Sequence, residues 1–563
     1  MTTKKLLSVL IGLSTVLLAA EPVFRVGVMS DTHVTRDLAS CSILKDAFEL
    51  FKQHKVEVII NAGDIADVYH PQAYRNYRKT FNDVFRDAKN APREIFAYAY
   101  HDIIGYKGAT PWDAFKDVQK YLEAKNAPYD IVRHKGYIFL VMPQYHDTAN
   151  YRKQLEAAEK ERGGKPFFIV DHVPLHDTVD VSLNGNSEAK KLVEKHPAAI
   201  HISGHNHSLL ANELNIWQGS FTAVNAGFLH GSMPVKKSCD MAMIMEIYQD
   251  KIIMRRFFTD SKKEYLSGTA PWVIPLPFDM AAAPYSAENR LKNSETPAFP
   301  AKAQLKVAFS EKGAEVKFPH AVKKLEISRY EFELARKVNG TWQNLAYHKK
   351  PGPYSSGAKN IGEYGFHTFS TGYFDFGKVY RVKVTPVHFS GKKGAPVSAE
   401  FKANKKSTAQ VVFESRNPMQ ECPMTSGITG KNNYVKAGKE NYRDGFFLIG
   451  GEKITAKMHF PAEVWNGKAG GRFIVDMQTE FAPDRSLHLQ LRCLSPKKYI
   501  PQYILTQQGN NAVTRYVIDF KPFNRDDYNF YFNMKNAGPG KVKINYIRIE
   551  RYNNRIEQKE SSK

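Results

Sequence analysis

Between residues 22 and 265 the chain alternates short apolar strands with helical stretches, and several strands run straight into a polar cluster. "VFRVGVMS" reads as a strand, "DLASCSILKDAFELFKQH" has helical spacing, and "VEVIINAGD" is a strand again. A helix around 73–89, the strand "EIFAYAY" and a helix around 112–124 follow. Then come "GYIFLVMPQ", the helix "YRKQLEAAEKE", the strand "PFFIVDH", the helix "SEAKKLVEKH", the strand "AAIHISGH" and finally "MAMIMEIYQDKIIMRRFF". Such alternation commits the segment to an α/β sandwich with helices outside its sheets. Sheets of this kind gather ligands beyond the carboxyl ends of their strands, where the polar clusters fall.

The character of the chain then changes twice. Residues 266–297 are rich in Pro, Ala and Ser, lack periodicity, and read as a linker packed across the first domain. Residues 298–403 alternate like half-buried strands: Tyr330, Phe332 and Leu334 against Glu331 and Glu333, then an Asn339-Gly340 hairpin signal. Tyr380, Val382 and Val384 alternate with Arg381 and Lys383. This stretch resembles a fibronectin type III domain, with Tyr380 in the tyrosine-corner position. Residues 404–555 are also β in pattern and resemble a jelly-roll sandwich of the carbohydrate-binding-module kind. Near its end Val542, Ile544 and Tyr546 alternate, then the phase shifts to Ile547 and Ile549, which predicts a bulge. Trp465, Tyr499 and Tyr503 are candidates for stacking on sugar rings, although aromatics are more often packing residues. Residues 556–563 are a polar tail.

Residues 1–20, "MTTKKLLSVLIGLSTVLLAA", carry two lysines, an apolar run and small residues before Glu21, the pattern of a secretory signal peptide. The expected location is therefore secreted or periplasmic, with no transmembrane segment after cleavage. Cys422 and Cys493 fall in one region and could pair, but four cysteines allow three full connectivities. The net charge is +23, and removal of Lys4 and Lys5 with the signal would lower it by two. No run of five basic residues occurs, so a solvated basic surface explains the charge at least as well as an anionic partner.

The five polar clusters are "SDTH" (30–33), "NAGDIAD" (61–67), "AYHD" (99–102), "DHVP" (171–174) and "GHNH" (204–207). Each alone is a common loop motif. Together, in this order, they resemble the calcineurin-like metallophosphoesterases, whose pattern runs DxH, GD, GNHD or GNHE, HxP, GHxH. The resemblance spans about residues 24–258 and implies an αββα fold over 21–265, with two C-terminal all-β sandwiches behind it.

The resemblance also implies a chemistry. Phosphate ester hydrolysis needs a nucleophile at neutral pH and neutralised phosphoryl oxygens, which two metals about 3.5–4 Å apart supply through an activated hydroxide. Mixed imidazole and carboxylate donors suit Mn, Fe or Zn. By motif position, Asp31, His33 and His207 would hold the first ion, Asp64 would bridge, and His172 and His205 would hold the second. His101 would protonate the leaving oxygen, oriented by Asp102. Gly63 and Gly204 would let the backbone turn sharply.

The chain departs from the pattern at one ligand: Tyr100 stands where the family has Asn, and Ala99 replaces the preceding Gly. Three readings are open: Tyr100 ligates as phenolate, the second site is weaker or more open, or the fold is a catalytically dead scaffold. Six of the seven expected ligands and the His101–Asp102 pair remain, which disfavours the third. Purple acid phosphatases place their tyrosine ligand where Asp67 stands here, and protein Ser/Thr phosphatases carry an Arg that "GDIADVY" lacks. The expected function is an exported metal-dependent phosphomonoesterase or phosphodiesterase whose C-terminal domains engage a glycan or an anionic cell surface. The rival is a non-catalytic surface or glycan-binding protein. A nucleic-acid partner rests on the basic charge alone.

Overall fold

A computed structural model describes residues 21–86, 90–108, 110–144, 147–230, 240–266, 271–356, 361–405 and 409–422. Beyond these it describes 424–428, 435–436, 442–443, 446–449, 454–459, 470–481, 486–493, 503–506, 513–520, 530–536 and 540–552. The signal-peptide reading, Cys239, Trp465 and Tyr499 lie outside these residues, as do the side chains of Cys493 and Tyr503. Cys41 and Cys422 are free, buried thiols. No helix among the described residues is long and apolar enough to cross a membrane. The chain divides at Ser294–Glu295 into two compact units, with residues 354–359 counting with the first.

The first unit opens with β1 (Phe24–Met29), α1 (Ser42–Gln53), β2 (Val58–Asn61), α2 (Pro71–Phe85), β3 (Arg93–Phe96) and α3 (Pro111–Leu122). It continues with β4 (Asp130–His134), β5 (Tyr137–Val141), α4 (Thr148–Glu161), β6 (Phe167–Val170), α5 (Ser187–Val193) and β7 (Ala199–Ser203). It closes with β8 (Ile216–Gln218), β9 (Thr222–Asn225), β10 (Met241–Ile247), β11 (Lys251–Phe258), β12 (Trp272–Pro275) and α6 (Ala287–Asn293). The helices begin where the sequence offers caps. His70, Thr110, Asp147 and Asn186 each accept a backbone N–H of the first turn, and Pro71 and Pro111 open α2 and α3.

Two six-stranded sheets form, in the orders β12-β11-β10-β1-β2-β3 and β4-β5-β6-β7-β9-β8. Strands β1, β2 and β3 run parallel, as do β5, β6, β7 and β9. Strands β1, β2, β5, β6 and β7 are largely apolar and buried throughout or nearly so, as parallel strands covered on both faces must be, while β3 buries only Ile95 and Phe96. Phe24 of β1 meets Tyr137 and Phe139 of β5 edge-on, at ring separations of 5.2 and 6.4 Å, so the sheets face one another. Phe48, Phe51, Tyr74, Tyr77 and Phe115 of α1–α3 cover the first sheet, and Tyr151, Leu155 and Leu192 of α4 and α5 cover the second.

The stretch read as a linker contributes β12 to the first sheet. Trp272 lies 4.0 Å from the buried Arg256 guanidinium, and its Nε1–H donates to Glu213 Oε2 at 3.0 Å. Arg256 Nη2 donates to Glu213 Oε1 at 2.8 Å, and Arg290 of α6 donates to the carbonyls of Glu213 and Ile216. Composition hid this role, because one Trp and two Arg carry it.

The described residues of the second unit are built on β-strands, with one short α-helix at Pro418–Glu421. Its first strands are β13 (Lys306–Ser310), β14 (Gly313–Pro319), β15 (Ile327–Val338), β16 (Thr341–Pro351), β17 (Tyr364–Ser370), β18 (Val379–His388) and β19 (Val397–Lys402). They form sheets β13-β14-β17 and β16-β15-β18-β19. Asn339 and Gly340 join β15 to β16 with φ of 48° and 83°, the left-handed pair that a two-residue hairpin demands. Tyr380 Oη accepts the N–H of Asp375 at 2.6 Å, the contact that defines a tyrosine corner. Two further six-stranded sheets follow. In one, Asp476 pairs Tyr546 and Met477 pairs Ile544, leaving Asn545 as the extra residue of a bulge where the phase of the sequence shifts.

His348 of β16 and His367 of β17 meet inside this unit, Nδ1 to Nε2 at 2.9 Å, with His348 Nε2 2.9 Å from Tyr373 Oη. Burial holds His348 down to about 4 and His367, also opposed by His348 and Lys350, down to about 3. An unfolded chain takes up these protons near pH 6.5, whereas the folded one resists until near pH 4. Stability is therefore complete above about pH 6.5 and is lost as the pH falls toward 4, by about 1.4 kcal/mol per pH unit for each histidine. Urea titrations of the β-rich transition at pH 7, 6 and 5 check this. His367→Phe is expected to flatten the slope, and an unchanged slope refutes the assignment.

Candidate metal centre

Each of the five clusters begins where a parallel strand ends. Asp31 and His33 follow β1, Asp64 follows β2, His101 follows β3, His172 follows β6, and His205 and His207 follow β7. The loops brake hard. Asp31, His33, Asp64, His205 and His207 all have left-handed φ, between 40° and 71°. Asp and His tolerate that region better than most residues, yet each still costs about 1 kcal/mol or more, a strain that collects at functional sites. Gly63 has φ of 93°, and a Cβ there would lie 2.6 Å from His172 Nδ1. A Cβ on Gly204 would lie 1.8 Å from Ser30 Oγ and 2.3 Å from Asp31 Oδ2. Both glycines are fixed by close approach to the cluster.

The side chains converge in three groups whose ligand atoms lie within 4.8 Å of one another: Asp31–His33–His207, Asp64–His172–His205 and His33–Asp67–His101. In the first, His207 Nε2 is 3.1 Å from Asp31 Oδ1 and 3.2 Å from His33 Nε2. In the second, His172 Nε2 is 3.1 Å from Asp64 Oδ2. Supporting contacts aim these groups. Asp31 Oδ2 accepts Ser30 Oγ at 2.6 Å and the N–H of His205 at 3.0 Å. His172 Nδ1 sits 2.8 Å from the carbonyl of Ala62, which leaves Nε2 to face the site.

The charges are tightly balanced. Burial opposes ionisation of Asp64, but the imidazoles of His172, His33 and His101 outweigh it and hold the carboxyl well below its usual range. Burial likewise opposes a proton on His172, and Asp64 lifts it to about 10. Burial brings His33 down to about 4 against the pull of Asp31 and Asp64.

The donor set fits divalent ions. Asp31 Oδ1 and His172 Nε2 are buried and, apart from the imidazole and carboxylate facing them, have no hydrogen-bond partner. Two imidazole Nε2 atoms facing each other across 3.2 Å, with a carboxylate oxygen beside them, are an arrangement that a shared cation satisfies.

One expectation changes. Asp102 does not orient the ring of His101. It is fully buried, and its carboxylate accepts the backbone N–H groups of Ile65, Ala66 and Ala99 at 3.0–3.1 Å. Burial, with the Asp64 charge, pushes it up to about 7 against those donors. The carbonyl of Asp67 holds His101 instead, 2.6 Å from Nδ1. Asp67, noted in the sequence only for being no tyrosine, is the residue missed, and its place three positions after Asp64 was the available signal. Tyr100 is 50% exposed, and its ring stands edge-on to His101 at 6.0 Å.

Residues 24–250 match the family described as Calcineurin-like phosphoesterase superfamily domain. No curated protein matches the chain. Among solved structures, a dimetal phosphatase from Danio rerio is similar at 12% identity and a TM-score of 0.28, over 42% of this chain and 96% of that one. A purple acid phosphatase from yellow lupin seeds is similar at 11% and 0.31, over 44% and 53%. A Vps29 single mutant from Entamoeba histolytica is similar at 11% and 0.21, over 45% and 99%.

Proposed function

With residues 24–250 a calcineurin-like phosphoesterase domain, we propose that the protein is an exported metal-dependent phosphoric ester hydrolase acting on a phosphomonoester or phosphodiester. The observation that carries this reading is the convergence of Asp31, His33, Asp64, His172, His205 and His207 beyond the carboxyl edges of two facing sheets. Divalent ions held there supply charge neutralisation for the phosphoryl group and a nucleophile at neutral pH. The chain's own residues do the rest. Asp64 belongs to the second ligand group, with Oδ2 toward His172 and Oδ1 accepting the N–H of His101, and would bridge the ions by its motif position. The Asp67 carbonyl accepts a hydrogen bond from His101 Nδ1–H, so Nε2 is the atom that can deliver a proton to a leaving oxygen. The β unit, fibronectin type III-like and jelly-roll-like in our reading, would hold the enzyme on a glycan or anionic surface.

The test is hydrolysis of phenyl phosphate, p-nitrophenyl phosphate and bis(p-nitrophenyl) phosphate by full-length protein loaded with Mn, Fe or Zn. No turnover of any of them, together with purification free of stoichiometric metal, sinks the proposal and favours a scaffold. His101→Gln is expected to lower kcat on phenyl phosphate by about 10²–10⁴-fold while keeping both ions. The loss is expected to be smaller on p-nitrophenyl phosphate, whose leaving group needs less protonation. Equal losses on the two esters would remove His101 from the acid role.

A further inference from the structure

The second ligand group holds one carboxylate and two imidazoles, Asp64, His172 and His205. A divalent ion there has room for further oxygen donors, and Tyr100, at the position of the family's neutral ligand, is half exposed. The chain brings a different neutral oxygen to the same place from the other sheet. After β5, the N–H of Gln144 donates to the carbonyl of Tyr98 at 3.0 Å, which stitches the end of that strand to the segment after β3. From this anchored position Gln144 Oε1 accepts the N–H of Tyr100 at 2.7 Å.

The next N–H along, that of His101, donates to Asp64 Oδ1 at 3.1 Å. Tyr100 and His101 open a tight helical turn, in which Asp102 N–H returns to Ala99 O, and Ile103 and Ile104 N–H return to Tyr100 O. Successive N–H groups at the start of such a turn point the same way. Successive donors of one turn thus hold Gln144 Oε1 and Asp64 Oδ1, the latter an oxygen of the second ligand group's carboxylate. An amide oxygen has two lone pairs, and the Tyr100 N–H uses one.

We propose that Gln144 is the neutral oxygen ligand of the second ion, with Tyr100 contributing its backbone N–H to aim it and not its phenol to bind. This rests on the two-ion reading above. An amide oxygen shifts the site toward harder cations such as Mn²⁺ or Mg²⁺. The sequence offers no motif for the role, because Gln144 lies 44 residues from Tyr100 on the other sheet.

The experiment is Mn²⁺ titration calorimetry on the full chain, with circular dichroism and the affinity of the first ion as controls on folding. Wild type is expected to take two ions. Gln144→Ala is expected to weaken the second by about 10-fold or more and to leave the first unchanged. Gln144→Glu, which keeps an oxygen in place, is expected to hold the second ion at least as tightly as wild type, and Tyr100→Phe to match wild type at both. Two ions bound with wild-type affinities in Gln144→Ala, or loss of the second in Tyr100→Phe, overturns the assignment and leaves the two-ion reading standing. No Mn²⁺ uptake by wild type overturns both.

Discussion

Asp64→Ala is expected to abolish binding of the second ion, to weaken the first, and to cut turnover of any phosphate ester by at least about 10³-fold, a barrier increase of about 4 kcal/mol. The size follows from how much converges on one carboxylate. Its Oδ2 faces His172 Nε2 at 3.1 Å, and its Oδ1 fixes the N–H of His101 at 3.1 Å. Its backbone carbonyl accepts the N–H of His33 at 3.1 Å, so the residue also shapes the loop that carries the first ligand group. It is also the anion that His172 Nε2 faces in a fully buried position, so its loss removes one of the three donors of that ligand group. Metal content by mass spectrometry and hydrolysis of p-nitrophenyl phosphate check the prediction. Retention of two ions and full turnover would mean that these ligands do not form the working site.

How much of this was legible in the sequence differs from one residue to the next. The ligand histidines and carboxylates were readable because each sits at a fixed offset from an apolar strand, and parallel strands of one sheet deliver such offsets to one edge. The φ values of 50° at Asp31 and Asp64 and 93° at Gly63 are the local result of that geometry. Asp102 was misread because its side chain turns back onto three N–H groups of its own and a neighbouring loop, a direction that residue type and spacing do not encode. The orienting group of His101 is the backbone carbonyl of Asp67, so its position after Asp64 could point to it but its residue type could not. In the β unit the Asn339-Gly340 turn, the Tyr380 corner and the bulge near Asn545 were legible because each is local. The strand at Trp272 was not, because the register that places it beside Met254 depends on a neighbouring strand.

The least legible feature of the β unit is also among its strongest. Arg515 sits on the strand Thr514–Phe520, directly across from Asp476 on Gly471–Phe481. Its Nε and Nη2 donate to the two oxygens of Asp476 at 2.7 and 2.9 Å, a planar two-point pairing that only arginine makes. Its Nη1 lies 3.6 Å from Asp375 Oδ1, on the turn whose N–H also holds Tyr380. Burial works against the Arg515 charge, yet the Asp476 and Asp375 carboxylates outweigh it and raise the guanidinium further. Asp375 keeps Arg336 at 2.6 Å when Arg515 is removed, but Asp476 loses both of those bonds and remains buried. Arg515→Ala is therefore expected to destabilise the β-rich transition by about 3–5 kcal/mol, the penalty of a buried carboxylate left without its cation. The double variant Arg515→Met/Asp476→Leu, which removes both charges, is expected to recover most of that loss, because desolvating the pair offsets much of its attraction. Urea unfolding of wild type, Arg515→Met, Asp476→Leu and the double variant gives the coupling directly. Additive losses would mean that the two residues contribute separately and that the strands are joined by their ladder alone.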